Sequence, residues 1–309
     1  MSRISIVIPA FNEEENVPLI CNILESVLEK GNINYDIIVV DDGSTDNTWK
    51  VIEQLHRAKG NVGGIKLSRN FGHQNALMAG LHVAKGDAVI TMDADLQHPP
   101  EVILQLIESW QEGYKIVNTR RTETEEEPLL KRLSSKAFYK TFSWLTKSSI
   151  KAGMADFRLL DRKVVDELKG FSEFHIFLRG LVQWIGFPVT EICYSAHARK
   201  SGRTQYGWRR MLGFSLAGIT SFTILPLRIS ILLGLITSIL AFAELCYVLF
   251  SALVSKSIVA GWASTLAVIS FLFGILFIVL GVIGEYIGRI FEVTKGRPVY
   301  IVEKSLDID

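Results

Sequence analysis

Through the first third of the chain, short apolar runs alternate with segments in which apolar residues recur every three to four positions. The runs Ile4–Pro9, Tyr35–Val40, Gly64–Leu67, Ala88–Met92 and Lys115–Asn118 predict strands, and the segments 13–30, 46–58, 72–85 and 99–112 predict helices. Strand and helix in alternation predict an α/β domain with a mostly parallel, Rossmann-like sheet covered on both faces. Ligands of such sheets lie beyond the carboxyl ends of the strands. The residues after each run are therefore the informative ones: Pro9 to Glu14, Asp41 to Asp46, Ser68 to Gly72, Asp93 to His98 and Thr119 to Arg121. Any one of these is a turn in its own right, but five polar stretches along one rim are hard to explain as turns alone.

Beyond this region, residues 121–128 form a charged loop and about 129–147 a helix. Its first turns carry Lys131, Arg132, Ser134 and Ser135, which read either as an anion-binding group or as a solvated helix face. Helices then run to about Gly186, followed by a strand near Val189–Ala196 and a basic stretch, Arg199 to Tyr206. Trp208, Met211, Leu212, Ile219 and Phe222 recur at helical spacing beside Arg209 and Arg210, as in a helix lying in a membrane interface, with a buried amphipathic helix as the alternative; Pro226 would end it.

Two near-continuous apolar runs follow, Ile229–Leu253 and Ala263–Ile283. Each reaches the roughly 20 residues that cross a bilayer. Arg209, Arg210 and Arg228 precede the first, Arg289, Lys295 and Arg297 follow the second, and the connecting loop holds only Lys256. The positive-inside bias then predicts a hairpin in the cytoplasmic membrane with the preceding domain and both termini in the cytoplasm. Glu244, inside the first run, is protonated, near the far interface, or paired between subunits. Glu285 and Arg289 are spaced to pair. The predicted organisation is a domain over 1–206, a juxtamembrane segment over 207–227, the hairpin over 228–288 and a tail over 289–309.

Composition sharpens the division. The 49% hydrophobic content and mean hydropathy of +0.27 are high for a soluble enzyme, and the excess sits in the last third. Net charge is +1, from 33 basic and 32 acidic residues, so no nucleic-acid partner is expected. Cys21, Cys193 and Cys246 are scattered, without metal-ligand spacing, which fits a reducing compartment. The N-terminus goes straight into a strand-like run, and no signal peptide is expected. Neither Gly-x-Gly-x-x-Gly nor a Walker-type loop is present, so phosphate is expected to be held by metal and arginine.

Asp93-Ala94-Asp95-Leu96-Gln97 is the candidate for that chemistry. On an extended chain Asp93, Asp95 and Gln97 fall on one side. Two carboxylates and an amide suit a hard cation whose remaining positions are filled by substrate phosphate. An acidic turn capping the helix after Pro99-Pro100 is the plainer alternative.

Taken together, Val7-Ile8-Pro9-Ala10-Phe11-Asn12-Glu13-Glu14, Val39-Val40-Asp41-Asp42-Gly43-Ser44, Ser68-Arg69-Asn70-Phe71-Gly72, Asp93-Ala94-Asp95-Leu96-Gln97 and Gly281 to Arg289 resemble glycosyltransferase family 2, and within it the polyprenyl-phosphate glycosyltransferases of the bactoprenol glucosyltransferase type. Dolichyl-phosphate mannose synthases are more distant relatives. The resemblance implies a GT-A fold and two transmembrane helices. It implies that Pro9, Phe11, Glu13 and Asp42 hold the nucleotide, and that Asp93, Asp95 and Gln97 bind a divalent metal (Mg2+ or Mn2+) with the donor's diphosphate and sugar. It further implies that Arg120, Arg132 and Ser135 grip phosphates, that Asp156 is a second essential carboxylate near the sugar, and that Arg199 to Tyr206, with Arg203, form an acceptor loop. Three positions depart from the pattern: Ala155 stands where relatives often have Gly, His73-Gln74 where they often have Lys-Glu, and Gln205 where they usually have Lys.

The expected reaction is inverting transfer of a hexose from a nucleotide-diphosphate sugar to undecaprenyl phosphate at the membrane, for modification of a cell-envelope glycan. UDP-glucose is the first choice of donor and UDP-N-acetylglucosamine the second. A phosphate monoester has a second pKa of about 6, so the acceptor arrives ionised and needs no general base. Asp95 and Asp156 are the residues expected to matter most for catalysis. A processive polysaccharide synthase is disfavoured because its Gln-x-x-Arg-Trp spacing is missing from Val182-Gln183-Trp184. A membrane-anchored sugar-nucleotide sensor is the non-enzymatic alternative. Gly274, Gly281, Gly284 and Gly288 allow close helix packing, which points to a homo-oligomer, with a tetramer among its forms.

Overall fold

The computed structural model describes residues 2–122, 154–171, 177–195, 225–250 and 261–307. It divides into two compact units, one of residues 1–213 and 298–309, the other of residues 214–297. The predicted helix at 129–147, the stretch 199–206 and residues 207–224 of the juxtamembrane segment predicted over 207–227 lie outside the described residues.

The first unit is built on one eight-stranded sheet of order β7-β5-β6-β4-β1-β2-β3-β8. Its strands are β1 (Arg3–Ala10), β2 (Asn34–Asp41), β3 (Val62–Leu67), β4 (Ala88–Thr91), β5 (Ile116–Arg121), β6 (Met154–Asp161), β7 (Val189–Tyr194) and β8 (Val302–Leu306). The central β1 pairs in parallel with both β2 and β4, and β3 extends the parallel half. The helices α1 (Asn16–Lys30), α2 (Thr48–Ala58), α3 (His73–Val83) and α4 (Val102–Gln111) connect them, within three residues of their predicted bounds. Ile4, Ile6 and Ile8 of β1 are buried on one face against Ile20, Leu24 and Leu28 of α1. On the other face α3 lies so close that a Cβ on Gly80 would collide with Cγ1 of Val7.

Two strands depart from the predicted pattern. β6 lies antiparallel between β4 and β5, although Asp156 and Arg158 interrupt its apolar run. Asp161 ends it, accepting from Trp110 Nε1 at 2.8 Å and Lys115 Nζ at 2.9 Å and capping α5 (Arg162–Leu168) through Lys163 N–H. β8 adds an antiparallel strand to β3, and Tyr300, just before it, places its hydroxyl 2.8 Å from Nδ1 of His82 on α3. β5 also runs longer than its apolar core. Thr119, Arg120 and Arg121, expected in a loop, remain paired in parallel with β7, because the ladder needs only backbone groups. The short α6 (Leu178–Trp184) precedes β7.

The second unit consists of α7 (Leu225–Phe250) and α8 (Trp262–Thr294). Pro226, expected to end the preceding helix, lies in the first turn of α7, where a missing N–H costs nothing. Leu227–Glu244 and Phe271–Thr294 have mean hydropathies of 1.8 and 2.2 and bury almost none of their side chains. Both are long and apolar enough to cross a bilayer. Glu244 faces a groove of about 360 Å³ between the two helices, lined also by Thr237, Leu240 and Phe271. Arg289 pairs with Glu285 at 3.1 Å, as the spacing predicted.

Gly80→Ala should destabilise the first unit by about 1–3 kcal/mol through overpacking against β1. A thermal melt of the full chain in detergent would show this as a Tm lowered by several degrees, and an unchanged Tm would contradict the close α3–β1 contact.

Candidate active site

The carboxyl ends of β1, β2 and β3 are bound to one another by side chain-to-backbone hydrogen bonds. Asn12, in a left-handed conformation at φ 56°, receives Thr45 N–H on Oδ1 at 2.8 Å, while its own N–H donates to Ser44 Oγ at 2.9 Å. Glu13 N–H donates to Thr48 Oγ1 at 2.9 Å. Asp42 accepts from Phe71 N–H at 2.7 Å and Gly72 N–H at 2.9 Å, one on each oxygen. Burial raises the Asp42 pKa, the two N–H groups pull it back, and Asp41 adds to the rise. Gly43 has φ 68°, and a Cβ there would strike the backbone of Arg69, so only glycine lets these loops meet. Phe11 stands 43% exposed on this rim, and the Arg69 guanidinium lies 4.0 Å above the Phe71 ring.

The loop after β3 leads directly into His73 and Gln74 at the start of α3. His73 Nε2 lies 3.4 Å from Asp93 Oδ1 and 3.6 Å from Asp156 Oδ2, bridging carboxylates that are 63 residues apart in sequence. Burial pulls the imidazole pKa down, but the hydrogen bond to Asp156 and the charges of Asp93 and Asp156 more than offset it. Asp156 itself is 5% exposed. Its Oδ1 accepts from Arg158 Nη2 and Arg179 Nε, both at 2.9 Å. Its Oδ2 accepts from Arg179 Nη2 at 2.9 Å and Gln74 Nε2 at 3.1 Å. Burial alone would raise this carboxyl's pKa, but the Arg179 charge, the His73 and Arg179 hydrogen bonds and the Arg158 charge hold it well below the usual range. Gln74 Oε1 also accepts Leu178 N–H at 3.1 Å, fastening the start of α6 to the same point.

After β4 the chain turns. Pairing ends at Thr91, Leu96 takes φ 60°, and Gln97 N–H bonds back to Asp95 Oδ1 at 3.1 Å. Asp93, Asp95 and Gln97 therefore lie on a turn, not along the extended chain their spacing suggested, because carboxylates past the ladder gain more from loop N–H groups than from continued extension. His98 braces this turn from below. Its Nδ1 accepts Asp93 N–H at 3.2 Å, which places the proton on Nε2, 3.7 Å from Asp93 Oδ2. Its ring stacks on Phe157 with centroids 5.0 Å apart and meets the edge of Tyr194 at 5.9 Å. Burial, with the charges of Asp93 and Asp95, pushes the Tyr194 hydroxyl up to about 12.

Residues 5–169, more than half of the chain, match the model of glycosyl transferase family 2. The chain belongs to this family. It is 42% identical to an uncharacterized glycosyltransferase, YkcC, of Bacillus subtilis (strain 168), over 99% of this chain and 94% of the relative. It is 37% identical to the SfII prophage-derived bactoprenol glucosyl transferase of Shigella flexneri, over 98% of both chains. Identity is again 37% to a prophage bactoprenol glucosyl transferase homolog of Escherichia coli (strain K12), over 98% and 99%. The protein is a glycosyltransferase with a GT-A, Rossmann-like sheet.

As a family 2 enzyme it brings the expected residues together unevenly. Asp93 and Asp156 meet through His73. Phe11 and Glu13 share a rim with the loop after β2, whereas Pro9 is buried within β1 and both Asp42 oxygens serve the 71–72 backbone. Arg120 turns to Glu191 and Cys193 on β7, with Cys193 Sγ 3.3 Å away. Arg132, Ser135, Arg199 and Arg203 lie outside the described residues. Arg158, Arg179 and His98 were not singled out from the sequence. Only the alternation Met154-Ala155-Asp156-Phe157-Arg158-Leu159 could have marked Arg158 as sharing the Asp156 face. Nothing around Arg179 marks it.

The Asp93 turn fits a divalent cation. Oδ1 of Asp93 is buried without a hydrogen-bond partner among the described residues, the condition of an oxygen suited to a cation. No cluster of three His, Cys, Asp or Glu side chains that could hold a metal occurs among the described residues, so substrate oxygens would complete the coordination.

The folded Asp156 carboxyl ionises below 3.8, its ordinary value. The folded state therefore binds fewer protons than the unfolded state as that range is crossed, and the stabilisation is fully present above about pH 4 and lost as pH falls towards the depressed value. Asp156→Asn should lower stability at neutral pH by about 3–5 kcal/mol, the cost of stranding buried arginine charge. It should also flatten the acid limb of a Tm-versus-pH series below about pH 4; an unaltered limb there would contradict the arginine-held carboxylate.

Proposed function

We propose that this glycosyltransferase moves a hexose from a nucleotide-diphosphate sugar, UDP-glucose first among candidates, to a polyprenyl phosphate such as undecaprenyl phosphate at the cytoplasmic face of the membrane. The observation that carries this reading is the state of Asp156. A sugar hydroxyl as acceptor requires a group to take its proton. The carboxylate nearest His73 and Asp93 that is not on the metal turn is saturated by Arg158, Arg179 and Gln74 and is a poor base. A phosphate monoester, largely dianionic at neutral pH, attacks without one. The names of the Shigella and Escherichia relatives, aligned along 98% of this chain, support the same acceptor.

In this reading Phe11 and Glu13 receive the nucleotide at the rim. Asp93, Asp95 and Gln97 would hold a Mg2+ or Mn2+ ion, which when bound offsets charge on the departing diphosphate. Asp156 orients the sugar and the acceptor, with its arginine partners adding positive field to the site. Single displacement inverts the anomeric centre.

Chain connectivity supports a hairpin. β8 follows the second apolar helix yet belongs to the sheet that precedes the first, so the number of crossings is even. Arg228 before the pair and Arg289, Lys295 and Arg297 after it favour cytoplasmic ends.

Membranes containing the full chain, given undecaprenyl phosphate and a panel of nucleotide sugars, should yield a lipid-linked hexose by mass, with inverted anomeric configuration by NMR. Asp95→Asn should reduce turnover by at least about a hundredfold, in the range lost when charge stabilisation of a leaving group is removed. Undiminished turnover would sink the metal assignment, and a retained configuration the single displacement. In a variant lacking Cys21, Cys193 and Cys246, Lys256→Cys should be labelled from outside intact cells by an impermeant maleimide, while Lys304→Cys should be protected; the reverse pattern would overturn the topology.

A further inference from the structure

Asn118 on β5 and Arg158 on β6 stand opposite one another in the antiparallel ladder, and they are 1% and 0% exposed. Directly opposed residues project from the same face, with Cβ atoms about 4.5–5.5 Å apart. Arg158 uses Nη2 alone, donating to Asp156 Oδ1 at 2.9 Å and Ala155 O at 3.0 Å. Its Nε and Nη1, and both Nδ2 and Oδ1 of Asn118, have no hydrogen-bond partner among the described residues. Burial lowers the guanidinium pKa to about 10, with the Asp156 charge opposing the fall.

Each such orphan costs about 1–3 kcal/mol, and neighbouring orphans that do not satisfy one another mark a place meant for a third party. Three of the four groups donate and one accepts. An anion could serve the donors but would repel Asn118 Oδ1, and an apolar side chain would serve none. Water both donates and accepts, and buried waters typically make about three bonds to groups of this kind.

We propose that Asn118 and Arg158 enclose an internal water site, and that the enclosed water, rather than the Asn118 amide itself, positions Arg158 for sugar transfer. The water fixes the Arg158 guanidinium, which fixes Asp156 at Oδ1, the oxygen that Arg179 Nε also engages. The second clause rests on Asp156 belonging to the transfer site; the water site does not.

A crystal structure of the full chain should show an ordered water within hydrogen-bond distance of Asn118 and of Nε or Nη1 of Arg158. A dry space, or a side chain filling it, would overturn the proposal independently of any assay. Substitutions give a second readout. Asn118→Ser and Asn118→Ala leave room for additional water beside Arg158 and should keep kcat within about threefold. Asn118→Leu fills the space with carbon and should lower kcat at least about tenfold, or 1.4 kcal/mol in the barrier, with donor KM within about twofold. A residue that matters only for packing gives the opposite order, with Ala worse than Leu, and that order would overturn the positioning role. Should Asn118→Leu fail to fold, Asn118→Met is measured in its place against Asn118→Ala, and the crystallographic water decides the water site by itself. An absence of polyprenyl product in the wild type, with the water present, would instead count against the proposed acceptor.

Discussion

A buried carboxylate must be balanced by positive charge and hydrogen bonds or it does not stay ionised. Asp156 meets that condition by drawing on its own strand and on two elements that are remote in sequence. Arg158 comes from its own strand two residues on, Arg179 from α6, and Gln74 from the start of α3. β6, paired on both sides by β4 and β5, carries the acid and its arginine together under cover. Removing either arginine would leave this buried carboxylate short of countercharge.

Around that fixed anion the site has two different constructions. The rim proposed to receive the nucleotide is made of loops whose backbone N–H groups are taken by Asn12, Asp42 and Ser44, so its shape is set by the fold itself. The Asp93 turn is braced from beneath by His98 and an aromatic stack, yet retains a buried oxygen that makes no hydrogen bond among the described residues and has the His73 imidazole nearby, at 3.4 Å. A rim closed on itself suits recognition of a base and ribose, and an under-satisfied turn suits a cation shared with a diphosphate. His73 touches both the turn and Asp156, so a departure from the relatives' usual Lys at this position falls where the two carboxylates meet.

How much of this could be read beforehand depended on hydropathy. β1 to β5 were legible as apolar runs, and α1 to α4 as periodic segments, because both faces of the sheet are covered. β6 was not, since Asp156 and Arg158 sit where a buried strand should be apolar. β8 was hidden for a different reason. Glu303, Lys304 and Ser305 suit an edge strand facing water, and their pairing with β3 is carried by backbone atoms. The acidic turn was legible by composition but not by conformation, and Arg179 reaches Asp156 only by tertiary folding across 23 residues.

The return of β8 has a consequence for biosynthesis. The ribosome releases β3 more than 200 residues before its last partner, with both apolar helices in between. Throughout that interval one margin of the sheet presents unpaired backbone groups, the usual starting point for misassociation. β8 can join that margin only after the second apolar helix has been made, which ties completion of the sheet to the synthesis of both apolar helices.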